Sequence, residues 1–283
     1  MKMTLRPLTE HTGVEVTGID LRQPLDPATR EQLQQAFAQR AVLVLRDQQL
    51  GPDQFLAALR ENFGDVMPQQ VRRFTIDDSQ LVGFVSSEDT DKPGGVRLVR
   101  GEQFHTDHSN FAAPPRATAL AAVSLPSKGG DTQFVNVHCA YDDLPEATKR
   151  RIEPLKVLHV FKSSRSPRKK VELTEEERSK VPESVQPLVL VHPHNGRKAL
   201  YLNTAHMERI IGMPDEEAFA LISELMAHAT QERYEYRHVW RTGDVVMWDN
   251  RSVMHQANAD YDPGEKRYLY RLMLQGTPLQ AAA

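Results

Sequence analysis

The chain has 283 residues, 40% of them hydrophobic and 26% charged, a globular mix that excludes wholesale disorder, a collagen-like repeat and a coiled coil. Its 35 basic and 38 acidic residues leave a net charge of −3, so no overall basic field draws it to a nucleic-acid backbone or an anionic membrane. The single cysteine, Cys139, excludes an intrachain disulfide and any multi-cysteine zinc or iron–sulfur site.

The opening MKMTLRPLTEHTGVEV has no apolar h-region, and no apolar run approaches the roughly 18 residues of a membrane span. A cytoplasmic protein is the expectation. In chain order, alternation of Val14 and Val16 with Glu15 and Thr17 predicts a strand around 13–19. Asp26 and Pro27 then offer an N-cap and an N1 proline to a helix running to Arg40. The compact run 41–45 reads as a buried strand, and Pro52 opens a second helix that Gly64 ends.

From residue 80 onward strands dominate, at 81–86, 117–123, 132–137, 157–161 and 188–191. Asn195-Gly196, between the apolar stretches 188–191 and 199–202, predicts a hairpin turn. Helices are expected at 140–154 and 214–229, and four strands at 234–240, 245–248, 252–255 and 268–274 close the chain. The segment 162–184 is a charged excursion with no sustained apolar face, either a lid or a solvated loop. No repeat or linker divides the chain, so a single domain over 1–283 is expected. Strands dressed with helices, without strict βαβα alternation, indicate a mainly β sandwich or jelly roll with flanking helices.

Among the eleven histidines, His159, His228 and His238 sit in apolar or amphipathic patterns and read as packing residues. Two arrangements compete for a metal. In an extended segment His105 and Asp107 project from one face, about 6.6 Å apart at Cα, while His108 points the other way. His255 would complete two imidazoles and one carboxylate, the set non-haem Fe(II) oxygenases use while leaving positions open for a cosubstrate and O2. The rival, His192-Pro193-His194, abuts the Asn195-Gly196 turn and is expected at an exposed hairpin tip. Arg267 and Arg271 share a face of the last strand, roughly 13 Å apart. Turned inward they imply two anionic partners, and turned outward they are merely solvated.

Phe104-His105-Thr106-Asp107, Gly129-Gly130-Asp131-Thr132, Val191-His192-Pro193, the run Gly243 to Arg251, and His255 to Tyr261 follow in an order that resembles the taurine dioxygenase family, which also contains 2,4-dichlorophenoxyacetate dioxygenase. The resemblance spans Gly13 to about Leu274 and implies a double-stranded β-helix, or jelly-roll, core carrying Fe(II) and 2-oxoglutarate. It further implies consumption of O2, hydroxylation of a C–H bond in a small anionic organic substrate such as a sulfonate, sulfate ester or aryloxyalkanoate, and release of succinate and CO2.

Carried over by position, His105, Asp107 and His255 resemble the iron ligands. Thr132 and Arg267 resemble the pair that binds the distal carboxylate of 2-oxoglutarate, and Arg271 the contact to the substrate's acidic group. Asp107 favours hydroxylation, since related halogenating enzymes lack that carboxylate. Phe161 matches an aromatic substrate neighbour, whereas Gln69 and His206 stand where taurine-oxidising members have a histidine and an aromatic residue. The pocket is therefore expected to take an acid other than taurine. Asp249 and Asn250 read as turn or supporting residues and Trp248 as core packing. A homo-oligomer is expected. The rival readings are a non-catalytic jelly-roll metal- or anion-binding protein and a metal-dependent hydrolase.

Overall fold

The computed structural model describes residues 3–166 and 172–282. Its strands are β1 Thr4–Pro7, β2 Val14–Thr17, β3 Val42–Leu45, β4 Val66–Met67, β5 Gly83–Ser86, β6 Ala117–Ser124, β7 Thr132–Asn136 and β8 Lys156–His159. They continue with β9 Ser184–Pro187, β10 Val189–Val191, β11 Lys198–Leu200, β12 Met207–Ile210, β13 Glu235–His238, β14 Val245–Asp249, β15 Val253–Ala257, β16 Tyr268–Leu274 and β17 Gln280–Ala281. The helices are α1 Pro27–Arg40, α2 Pro52–Phe63, α3 Val137–Asp142, α4 Glu146–Ile152, α5 Glu175–Ser179 and α6 Asp215–Ala229.

Local chemistry sets the first two helices as expected. The Asp26 carboxylate accepts from the Ala28 and Thr29 N–H groups, Pro27 needs no such partner, and α1 closes on the left-handed Ala41. Pro52 opens α2, which ends at Gly64 with φ of 97°, a backbone that suits glycine.

One eight-stranded sheet runs β1-β2-β3-β14-β6-β16-β4, with β5 also on β16, and only the β2–β3 pair is parallel. Three smaller antiparallel sheets, β13-β7-β15, β12-β8-β9 and β11-β10-β17, accompany it. Alternation within the large sheet explains its uninterrupted apolar strands. Leu43, Leu45, Val245 and Met247 face α1 and α2, whereas Val42, Val44, Val246 and Trp248 face Phe134 and Val253 of the β13-β7-β15 sheet. A third cluster packs α3 and α6 on the smaller sheets. The inter-sheet layer holding Trp248 and Phe134 receives the functional side chains.

Two expectations need correction and one gains detail. The 140–154 helix is two, α3 and α4, because Pro145 interrupts it after Leu144. Within the excursion 162–184, residues 167–171 lie outside the described residues, and α5 follows, capped by reciprocal bonds between Thr174 and Glu177. That Thr-x-x-Glu signal was legible. Third, the Asn195-Gly196 hairpin forms between β10 and β11, but His192 beside it is not exposed. Its ring is buried, with Nε2 3.0 Å from Asp249 Oδ2, and Asp249 also accepts two bonds from the Arg251 guanidinium. A buried carboxylate shared by a guanidinium and an imidazole fixes the turn into β15.

Candidate active site

The site begins with a backbone contact. His105 and His255 form an isolated antiparallel bridge, exchanging N–H···O bonds of 3.0 and 2.9 Å, so their rings lie side by side with centroids 4.2 Å apart. His255 shares the inward face of β15 with Val253 and packs 4.5 Å from the Trp248 ring. His105 Nδ1 lies 2.8 Å from the Gln103 carbonyl, a contact that makes Nδ1 the donor and Nε2 the nitrogen able to ligate an ion. Asp107 Oδ1 lies 3.9 Å from His105 Nε2, and its Oδ2 lies 3.9 Å from His255 Nε2. Among the described residues this is the group whose ligand atoms fall within 4.8 Å of one another, and all three residues are buried. Two imidazoles and one carboxylate on one side suit a ferrous ion with open positions.

Asp107 is held firmly. Its Oδ2 accepts from Thr118 Oγ1 at 2.6 Å. Asn250 Nδ2 donates to that same hydroxyl at 3.1 Å, committing the Thr118 proton to the carboxylate, and Trp248 Nε1 fixes Asn250 Oδ1. Arg271 Nη2 stands 2.9 Å from Asp107 Oδ1. Burial opposes ionisation of Asp107, but attraction from Arg271 and the neighbouring histidines outweighs it and keeps the carboxyl well below the ordinary range.

Arg267, just ahead of β16, is 4% exposed. Its Nε donates to the Gly130 carbonyl at 3.0 Å, while Nη2 is buried without a partner. No carboxylate lies within salt-bridge distance of it among the described residues. Burial pushes the guanidinium below its usual range, so this is a cation with no neutralising anion. Gly130, at φ of 74°, makes the approach possible, since a Cβ there would sit 3.0 Å from Arg267 Nε. Thr132 opens β7 facing the same layer, and its hydroxyl accepts from Trp240 Nε1 at 3.0 Å, leaving the hydroxyl proton to be donated elsewhere.

Arg267, Arg271, the three candidate ligands His105, Asp107 and His255, and Thr132 line one cavity of about 210 Å³. The inward reading of Arg267 and Arg271 is the one the structure adopts. Phe161 and His206 meet edge to face at 5.9 Å on its wall. Gln69 also lines it, but its Nε2 donates to the Leu81 carbonyl and its stem presses on Gly83. The expectation for His108 was wrong. Strand alternation predicts that it points away from the cavity, yet its backbone turns left-handed, φ of 46°, and places it on the cavity lining. Sequence reading did not single out Gln70, Arg100 or Thr118, and it took Trp240 as packing against a core, where it does lie, without its contact to Thr132 being foreseen. The first lay one residue from an inspected position, and the others declare themselves only through long-range contacts.

The sequence matches the model of the family described as "Taurine catabolism dioxygenase TauD, TfdA family" over residues 4–273. The chain belongs to that family. It is 36% identical over 272 residues to the alpha-ketoglutarate-dependent 2,4-dichlorophenoxyacetate dioxygenase of Burkholderia sp. (strain RASC), covering 93% of this chain and 91% of that one. It is 32% identical to the alkylsulfatase of Acinetobacter baylyi, covering 97% and 86%. Its fold superposes with a TM-score of 0.83 on the solved structure of AAD-2 in complex with Mn(II) and N-oxalylglycine, at 32% identity and over 99% and 100% of the two chains. This TauD/TfdA-family protein is thus a dioxygenase that uses Fe(II), 2-oxoglutarate and O2.

The dioxygenase's own residues fit those groups. The His105, Asp107 and His255 donors match a borderline divalent ion, and the buried Arg267 Nη2 without a partner matches a carboxylate arriving beside Thr132. Described helices include none long and apolar enough to cross a membrane.

Proposed function

We propose that the protein is a single jelly-roll domain over residues 1–283 in which His105, Asp107 and His255 hold Fe(II), Thr132 and Arg267 hold the distal carboxylate of 2-oxoglutarate, and Arg271 receives the acidic group of the primary substrate. When bound, the ferrous ion together with 2-oxoglutarate and O2 supplies the oxidation that turns a substrate C–H into C–OH, with succinate and CO2 as the other products. The observation that carries this reading is the convergence of the three ligands and the buried, anion-free Arg267 on one cavity.

Arg267 orients the dicarboxylate through a charged, forked contact, and Thr132 adds a neutral donor that Trp240 holds in place. Charge selects the substrate. Among the buried charges of the lining, Arg267, Arg271 and a divalent ion oppose Asp107, because Arg100 on the same wall is paired with Asp89 at 2.7 Å and Glu102, also on the lining, is exposed and screened by solvent. A bound 2-oxoglutarate dianion leaves one positive charge, which a monoanionic organic acid or sulfate ester neutralises. The names of the relatives, a dichlorophenoxyacetate dioxygenase and an alkylsulfatase, agree with such a class. Phe161, His206 and Gln69 complete the substrate wall. The protein works in the cytoplasm, as a homo-oligomer.

The test is a succinate-release screen over small organic acids with Fe(II), ascorbate and 2-oxoglutarate. Addition of 2-oxoglutarate to anaerobic Fe(II) protein is expected to give a weak visible absorption band. A metal-dependent hydrolase would give neither the band nor succinate, and a non-catalytic binding protein would give no succinate.

A further inference from the structure

Two polar groups on the cavity lining are left over once the ligands, Thr132, Arg267 and Arg271 have their roles. Gln70 lines the cavity with both Oε1 and Nε2 buried and without a hydrogen-bond partner. His108 lines it with Nδ1 buried and without a partner, and the ring stands edge-on to Phe111 at 5.3 Å. Gln69, one residue before Gln70, shows the contrast, since its amide nitrogen is spent on the Leu81 carbonyl.

Buried polar atoms without partners are rare, because a group that has left water with no replacement partner bears its full desolvation penalty. His108 bears a second cost. A non-glycine residue at φ of 46° is uncommon, and backbone of that kind persists where the surroundings require a side chain at a particular place. Here the consequence is that an imidazole stands beside Asp107 on the cavity wall in place of a residue turned away from it. An apolar substrate body filling the cavity would leave the Gln70 carboxamide and the His108 nitrogen unsatisfied permanently. A body with its own donor or acceptor would pair them.

We infer that the primary substrate carries, besides the anion received by Arg271, an uncharged hydrogen-bonding group, such as a hydroxyl or carboxamide, that Gln70 and His108 recognise. This specificity rests on the function proposed above, and it separates the protein's substrates from plain alkyl or aryl acids. The carboxamide both donates and accepts, and the imidazole does one or the other according to its tautomer, so a hydroxyl or amide satisfies the pair in either arrangement.

The test uses the full chain with Fe(II) and 2-oxoglutarate under anaerobic conditions, titrated calorimetrically with two matched pairs of probes. These are phenoxyacetate with 4-carbamoylphenoxyacetate, and hexyl sulfate with 6-hydroxyhexyl sulfate. The polar member of at least one pair is expected to bind about tenfold more tightly, the effect of one to two satisfied hydrogen bonds. Gln70→Leu and His108→Leu should each erase most of that preference while the apolar member still binds, which shows that the fold is intact. His108→Asn, a residue that tolerates left-handed backbone and keeps a polar group, should recover part of it. Equal affinity within both pairs, tighter binding of the apolar members, or a preference that survives in both leucine variants overturns the inference. Loss of the 2-oxoglutarate absorption band in the unaltered protein would instead strike the cofactor assignments of Arg267 and Thr132.

Discussion

Arg271 Nη2 and Asp107 Oδ1 lie 2.9 Å apart, so the guanidinium assigned to the substrate's anion is positioned by the carboxylate proposed to hold the metal. Arg271→Ala should therefore raise the KM for an acid substrate by roughly 10–100-fold, as expected for loss of a charged hydrogen bond worth about 1.5–3 kcal/mol. Succinate formation should also run ahead of hydroxylated product. Arg271→Lys keeps the charge but not the fork and should fall between the two. Product-to-succinate ratios measured with unchanged KM and coupling would remove the residue from the substrate site.

At Arg267 the same reasoning predicts a different kinetic signature. Arg267→Ala should raise the 2-oxoglutarate KM by roughly 10–100-fold with little change in KM for the acid. Thr132→Val removes one neutral donor, worth about 0.5–1.5 kcal/mol. Trp240→Phe leaves the Thr132 hydroxyl in place but takes away the indole donor at 3.0 Å, and a smaller rise in the same KM should follow. Equal shifts in both substrates' KM would indicate general disruption of the cavity.

Thr118 touches no substrate, yet its hydroxyl donates to Asp107 at 2.6 Å and is itself fixed by Asn250. Groups that orient metal ligands typically change affinity by about 10–100-fold when lost. Thr118→Val, which keeps the shape, should weaken Fe(II) binding by about that factor, measured by competition with a chelator, whereas Asp107→Ala should abolish turnover.

His138 gives the chain an acid-sensitive element away from the site. Its Nδ1 lies 2.8 Å from the Lys198 carbonyl and its Nε2 3.0 Å from the Ser252 hydroxyl, a pattern satisfied by one neutral tautomer. Burial pushes its pKa down to about 4, against 6.5 unperturbed. The unfolded chain thus binds the proton first, and stability falls as pH drops from about 6.5 toward 4. His138 alone should contribute on the order of 2–3 kcal/mol of that loss. Urea unfolding of the protein and of His138→Gln at both ends of this window should show a shallower pH slope in the variant.

The pairing of His105 with Asp107 and the shared face of Arg267 and Arg271 were legible because they depend on local spacing, whereas the inward turn of both arginines was not. A two-residue interval puts side chains on one face of an extended segment, but Leu269 and Leu272 are buried on opposite faces of β16, so the apolar pattern around Arg271 leaves its direction open. What was not legible depends on backbone departures and distant partners. His108 escapes strand alternation through one left-handed residue, and His192 is buried because Asp249 and Arg251 lie against it, although a turn dipeptide follows. The division of labour between Gln69 and Gln70 rests on the Leu81 carbonyl, which no pattern within the 60s reveals.

The paired backbone of His105 and His255 ties a loop near the middle of the chain to a strand near its end. Neither imidazole can be presented correctly by a fragment or by an intermediate whose closing strands are undocked. Ion uptake at this triad is consequently expected only after both segments have docked, and iron retention should then gauge whether the polypeptide has completed its assembly.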